Sequence, residues 1–302
     1  MSESRPRVIA VSGARGFVAS HLIPRLMAAG SRIIGIVRPG RDASALESAG
    51  VEIRRADLSD PAMSRVTFLG ADALVHLSGI AQVPRFLDAL ESAGVRRAIF
   101  VGSAGVYTRL VSSGADAKRA GEARLAASNT AWTILRPSMI YGTPADRNLA
   151  RLLRWLRRLP LVPVPGGGST PQQPVHVEDL CAAIEAALDR PASAGHAYDV
   201  GGPHAHSLAE LIRISGAALG VRAFPVPLPL APAHLAARAA RALRMPFPVS
   251  PEQILRLAES KAVDITPAMR DLGFKPRPFE EGITAEARAI TAIARPRALR
   301  GR

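Results

Sequence analysis

The chain has little with which to brace itself covalently or to stack flat ligands. Its 302 residues contain one cysteine, Cys181, which excludes an internal disulfide and suits a reducing compartment, the cytoplasm. Cys181 lies in the helical pattern EDLCAAIEAALD, where a small buried side chain is expected. Aromatic residues make up only 4%, with two Trp, three Tyr and eight Phe. That leaves no stacking platform for nucleic acid, which is not expected as a partner. No run of eighteen apolar residues occurs, so no membrane-spanning helix is expected. The opening MSESRPRVIAVSG has too short an apolar run for a targeting segment. Metal-ligand spacing is missing too: His204 and His206 flank one alanine with no carboxylate or cysteine beside them, and no metal is expected. His76 and His176 read as structural, His176 being the better placed to face a cleft.

Acidic residues are also scarce. Against 39 Lys and Arg stand 25 Asp and Glu, a formal charge of +14. The excess suits phosphorylated or otherwise anionic ligands, and a GC-rich genome would also produce such an Arg- and Ala-rich composition.

What is present is a globular composition, 48% apolar, arranged in a clear rhythm. Short β-branched runs at 8–11, 33–37, 51–56, 73–77, 98–102 and 132–136 predict strands, and helical stretches such as 17–29 and 86–92 separate most of them. Strands apolar on both faces and joined by helices predict an α/β, Rossmann doubly wound parallel sheet. After Pro137 turns and prolines take over, with one more strand at 196–202. The expected organisation is a dinucleotide-binding domain at 1–136 and a smaller C-terminal substrate lobe at 137–302, interleaved with the main sheet. Within that lobe, FPVPLPLAPAH (224–234) predicts an extended surface loop before a helix at 235–243, and PGGGSTPQQP (165–174) a flexible loop bordering substrate.

Between the first strand and first helix, SGARGFVAS sets Gly13 and Gly16 in a tight turn, with Ala19 as the third small residue. Glycine there lets backbone approach a pyrophosphate at a helix N-terminus, which points to dinucleotide binding. The second strand ends in Arg38 with no acid, and Arg15 precedes the second glycine. An arginine suits a 2′-phosphate where a carboxylate would suit a 2′-hydroxyl, so NADP is expected over NAD.

At this point the sequence resembles the short-chain dehydrogenase/reductase superfamily, in the extended and atypical branch known as NAD-dependent epimerase/dehydratase, over nearly its whole length. SGARGF resembles that family's opening turn, ADLSD its adenine-contacting segment, VHLSG the stretch beneath the cofactor riboses, IFVGSAGVYT the strand carrying a catalytic Ser or Thr, and ILRPSMIYG the Arg-Pro segment beside the nicotinamide. QPVHVEDLCAAI and DLGFKPRPFEEGI are similar to the helix that closes the substrate lobe and to the C-terminal ending. The resemblance implies cofactor contacts at Gly13, Ala14, Arg15, Gly16, Phe17, Val18, Arg38, Asp57, Leu58, Leu77, Ser78, Gly79, Lys118 and Pro137, and catalytic roles for Ser103 and Lys118. In the family a tyrosine stands one helical turn before that lysine and handles the proton that accompanies hydride transfer. Here the position is Gly114, and no tyrosine occurs between Thr108 and Ile140. Tyr141 is the first candidate to replace it, with Tyr107 behind.

The implied function is an NADP-dependent oxidoreductase or epimerase-like enzyme acting on a carbonyl or secondary alcohol of a small molecule, a nucleotide sugar among the choices. Two alternatives stay open: a cofactor-binding sensor or assembly protein with reduced catalysis, and a non-redox enzyme on the same scaffold. The segments around the fifth strand are shorter than in extended relatives, which leaves both monomer and homodimer open. Finally, DRNLARLLRWLRRLP spaces Arg147, Arg151, Arg154 and Arg158 on one face of a cationic amphipathic helix. A solvated arginine face is the leading expectation, ahead of contact with substrate phosphates and, behind that, with an anionic membrane surface.

Overall fold

The computed structural model describes residues 7–60, 65–146, 148–242 and 251–294. In chain order the elements begin with β1 (Val8–Ser12), α1 (Phe17–Ala28), β2 (Arg32–Val37), α2 (Ser44–Ser48), β3 (Glu52–Arg55), β4 (Ala73–His76), α3 (Val83–Ser92), β5 (Arg97–Val101), α4 (Ser113–Ala126) and β6 (Ala131–Pro137). There follow β7 (Ile140–Tyr141), α5 (Leu149–Leu156), β8 (Leu161–Pro165), β9 (Pro171–Gln172), β10 (Val175–His176), α6 (Val177–Asp189), β11 (His196–Val200), β12 (His206–Ser207), α7 (Leu208–Ala218), β13 (Phe224–Leu228), α8 (Leu230–Ala242), α9 (Pro251–Leu257), α10 (Thr266–Leu272) and α11 (Phe279–Ala294).

Seven strands form one parallel sheet in the order β11-β6-β5-β4-β1-β2-β3. The sequence explains its two covered faces. On β1, Ile9 and Val11 enter the apolar cluster shared with α1 and α6, whereas Val8 and Ala10 enter the cluster shared with α3 and α4. On β5, Ile99 and Val101 divide from Ala98 and Phe100 in the same way. A strand buried on both faces must be apolar at every position, which is why these segments read as continuous runs. Cys181, fully buried on α6, belongs to the first cluster, and burial pushes its thiol up to about 12.

Beyond Pro137 the chain builds a second core from Tyr141, Leu149, Leu153, Leu211, Phe279 and Ile283, then returns to the sheet through α6 and β11. One expectation for this part fails. Residues 224–228 are not a loop: they form β13, paired in parallel with β8, and the helix that follows starts at Leu230 rather than Leu235. Leu243, its expected end, lies outside the described residues. In PGGGSTPQQP all three glycines have positive φ, and Gly168 is buried against Val164 and Ala209. Leu149, Leu153 and Leu156 of α5 are buried while Arg151, Arg154 and Arg158 are exposed, and Arg147 lies outside the described residues.

Candidate functional site

The glycine turn opens on a cavity of about 670 Å³ at the carboxyl ends of β1, β2 and β4. Gly13 has φ +68, and a methyl group there would lie 3.2 Å from the Ser78 nitrogen. Only glycine brings the two loops so close. Gly16 caps α1 without a side-chain bond to the first turn, so those amides remain directed at the cavity. Beneath the turn sits a fixed support. His76 Nε2 lies 2.9 Å from the Gly79 carbonyl, which can only accept, so that nitrogen carries the proton and Nδ1 accepts from Ser12 Oγ at 2.8 Å. Burial pushes this imidazole down to about 4 and keeps it neutral.

Of the residues assigned to the cofactor, Gly13, Ala14, Arg15, Gly16, Arg38, Asp57, Leu58, Leu77 and Ser78 all line this cavity, joined by Arg41 and Gln82, which the sequence reading missed. Phe17, Val18, Gly79 and Pro137 do not line it. Phe17 stacks edge-on with His21, the Val18 carbonyl accepts from the Cys181 thiol, the Gly79 carbonyl serves His76, and Pro137 is buried at the end of β6. Arg15, Arg38 and Arg41 are exposed and make no ion pair among the described residues. Asp57, held low chiefly by hydrogen bonds from Ser59, is the one carboxylate on the rim.

A second cavity, about 570 Å³, is lined by Ser103, Tyr107, Lys118, Ser138, Arg256, Glu259 and Lys261 among others. Ser103 Oγ accepts from the Gly105 amide at 3.1 Å. A methyl group at Gly105 would meet Ser103 Oγ at 3.2 Å and Lys118 Nζ at 3.3 Å, so the two predicted site residues converge on one point. Gly121, nearly one turn after Lys118, permits this: a methyl there would lie 2.1 Å from the Ile80 carbonyl oxygen, so α4 rests directly on backbone. Burial, with Arg256 adding to it, lowers the Lys118 ammonium, and the same two causes lower Lys261.

Tyr141 does not join them. It is 1% exposed, packs on Phe279 and edge-on to His176, and aims its hydroxyl at the Phe279 carbonyl at 3.5 Å. His176 is likewise turned inward, capping α6 by accepting from the Glu178 amide. The β7–β10 pairing directs both side chains into the second core. Tyr107 is the tyrosine in the cavity, donating to Asp199 at 2.9 Å and accepting from Arg136 at 2.9 Å. Arg136 is in turn clamped by Glu122, which accepts from its Nε and Nη2. At Gly114 a side chain has room, since a methyl there meets only Ser112 Oγ at 3.7 Å. The cavity's other wall, Arg256 to Lys261, carried no signal in the sequence; Glu259 fastens it by accepting from Thr108 Oγ1 and from the Arg109 amide at 2.8 Å.

A parallel sheet whose glycine turn opens on a cavity at its carboxyl edge defines a dinucleotide-binding protein of the doubly wound class. Residues 13–153 match the family described as NAD(P)H-binding. Across 296 residues the chain is 29% identical to the mitochondrial NADH dehydrogenase (ubiquinone) 1 alpha subcomplex subunit 9 of Arabidopsis thaliana, covering 89% of this chain and 72% of that protein. It is 30% identical over 194 residues to ceramide reductase of Caulobacter vibrioides, 59% of this chain and 60% of the relative. A nucleoside-diphosphate-sugar epimerase of Pseudomonas aeruginosa shares the fold, with TM-score 0.76 and 21% identity over 95% of this chain and 98% of that one. Residues 13–153 thus carry an NAD(P)H-binding match, and the chain as a whole has the fold of nucleoside-diphosphate-sugar epimerases.

Proposed function

We propose that the chain is an NADP(H)-binding protein that keeps its cofactor in the glycine-turn cavity, with the nicotinamide end toward Ser103 and Lys118, and that hydride exchange there is slow or absent. One observation carries this reading: all three tyrosines are committed elsewhere. Tyr107 is held between Asp199 and Arg136, Tyr141 is sealed against Phe279, and Tyr198 is 2% exposed on β11. None stands one turn ahead of Lys118. Losing a general acid costs about 10²- to 10⁴-fold in rate. The cavity still suits the cofactor: glycine cradle, directed amides, and three arginines where a 2′-phosphate would lie. Bound NADPH supplies hydride; Lys118 would hold the nicotinamide ribose and Ser103 a carbonyl oxygen. Likeness over most of the chain to a subunit of NADH dehydrogenase supports a cofactor-holding role.

A second reading, an oxidoreductase or epimerase-like enzyme on a small carbonyl or secondary alcohol such as a nucleotide sugar, rests on Tyr107. Its ring is 53% exposed on the cavity, and Asp199 beside it is raised by burial. Fluorescence titration with NADPH and NADH tests the binding claim, and equal affinity for the two would remove the role given to Arg15, Arg38 and Arg41. Protein loaded with NADPH is then offered nucleotide sugars and small ketones. Retained cofactor with no oxidation supports the first reading, whereas turnover lost in Tyr107→Phe establishes the second.

A further inference from the structure

Strands β8 and β13 form a two-stranded ribbon with an apolar outer face. In register, Phe224 pairs with Leu161, Val226 with Pro163 and Leu228 with Pro165. Val162 and Val164 point the other way, into a core with Leu156, Ile212 and Ala223. The outward side chains are therefore those six, and Leu161, Phe224, Val226 and Leu228 are between 38% and 47% exposed. Trp155 and Leu159 extend the patch: the indole donates to the Leu161 carbonyl at 2.9 Å, and both residues are more than 40% exposed. Scattered exposed apolar residues are ordinary, but a contiguous face marks an interaction site.

Two further observations identify what covers it. The first is charge. No Asp or Glu occurs between Asp146 and Glu178 or between Glu210 and Glu252, and each interval contains five arginines. Arg158 is exposed beside the patch, and Arg222 lies over the Phe224 ring at 5.2 Å. The second is the ribbon's edges. The Phe224 amide donates to the Pro160 carbonyl, so the alternate residues Pro225 and Pro227 on one strand, and Pro163 and Pro165 on the other, face the outer edges. Proline has no N–H, so neither edge offers donors there for an added strand. The face is apolar, has aromatics beside arginines, is drawn from two stretches of sequence without acids and resists strand addition. These are the properties of a surface that lies on an anionic bilayer, with rings at the headgroup level and guanidinium groups on the phosphates.

We propose that the ribbon β8–β13, with Trp155 and Leu159, is a peripheral docking surface for an anionic lipid bilayer. The full-length chain is mixed with vesicles of phosphatidylcholine alone or phosphatidylcholine containing phosphatidylglycerol. Sedimentation and Trp155 emission are followed in a Trp132→Phe background, since Trp132 and Trp155 are the only tryptophans. The expected result is co-sedimentation and a blue shift with the anionic vesicles only, weakened by salt. Arg158→Gln with Arg222→Gln is expected to lower partition roughly 30-fold, at about one decade and a half for two surface charges. Leu161→Ser with Phe224→Ser should lower it by at least roughly tenfold while NADPH titration stays unchanged. Equal binding by wild type and both variants overturns the proposal. So does a concentration-dependent dimer, abolished by Leu161→Ser with Phe224→Ser and accompanied by no vesicle binding, which would assign the face to a second copy of the chain.

Discussion

The two cavities are built by different means. The glycine-turn cavity is made of loops that leave adjacent strands of one sheet, and much of its lining is backbone held close by Gly13 and Gly16. The Ser103–Lys118 cavity is closed by side chains from residues 256–261, which are remote in sequence and tied across by Glu259. Backbone construction tolerates drift in side chains, whereas a site made of individual side chains loses its chemistry when one of them goes. On our reading that is what Gly114 records: the cofactor cradle is intact, and the acid beside it is missing.

The test with the largest expected effect is to put the acid back. Gly114→Tyr, which the open space at that position admits, should raise NADPH oxidation by a carbonyl panel about 10²- to 10⁴-fold over wild type, followed at the NADPH absorbance. No gain would mean that the second cavity departs from catalysis by more than one residue. Next comes the seat of Lys118. Gly121→Ala forces a methyl against the Ile80 carbonyl and should cost about 3 kcal/mol in urea unfolding, where a change below about 0.5 kcal/mol would show that α4 shifts freely. Third, Arg38→Glu should cut NADPH affinity roughly tenfold or more and leave NADH affinity nearly unchanged, sharpening the claim that the first cavity reads the 2′-phosphate.

A last test, away from both cavities, lies in the second core. Burial and the neighbouring Asp146 carboxylate push Glu286 from the ordinary 4.5 up to about 9, and Glu286 Oε2 accepts from the Gly142 amide. A folded-state value above the unfolded one means that this group's stabilisation is full below about 4.5 and is lost as pH rises toward about 9. Melting of Glu286→Gln should therefore show a flatter profile than wild type across that window and a higher midpoint at its alkaline end. Parallel profiles would show that Glu286 does not titrate there.

Much of this was legible in the sequence because it is local. A turn between a strand and a helix carries its glycines within a few residues, and strands buried on both faces announce themselves as apolar runs. Nine of the residues assigned to the cofactor line one cavity for that reason. Phe17 and Val18 would meet a cofactor through backbone only, because the first turn of α1 gives its amides to the cavity and its side chains to other neighbours. The position of Tyr141 was not legible: a two-residue strand reverses a side chain's destination with one change of register, and its partner Val175–His176 lies far along the chain. Nor was β13, since prolines in alternate positions argue against a strand unless they fall on its outer edge. Arg256, Glu259 and Lys261 sit in a segment with no periodicity or motif and reach the site through tertiary contact alone.

The bond from the Arg109 amide to Glu259 links residues 150 apart. Closing so long a loop costs more entropy than closing the short turns of the first cavity, which predicts that the second cavity is completed after the first. It is then also expected to open earlier on partial unfolding. Hydrogen exchange at the single Arg109 amide therefore reports, without any ligand or activity, the fraction of molecules in which that cavity is closed.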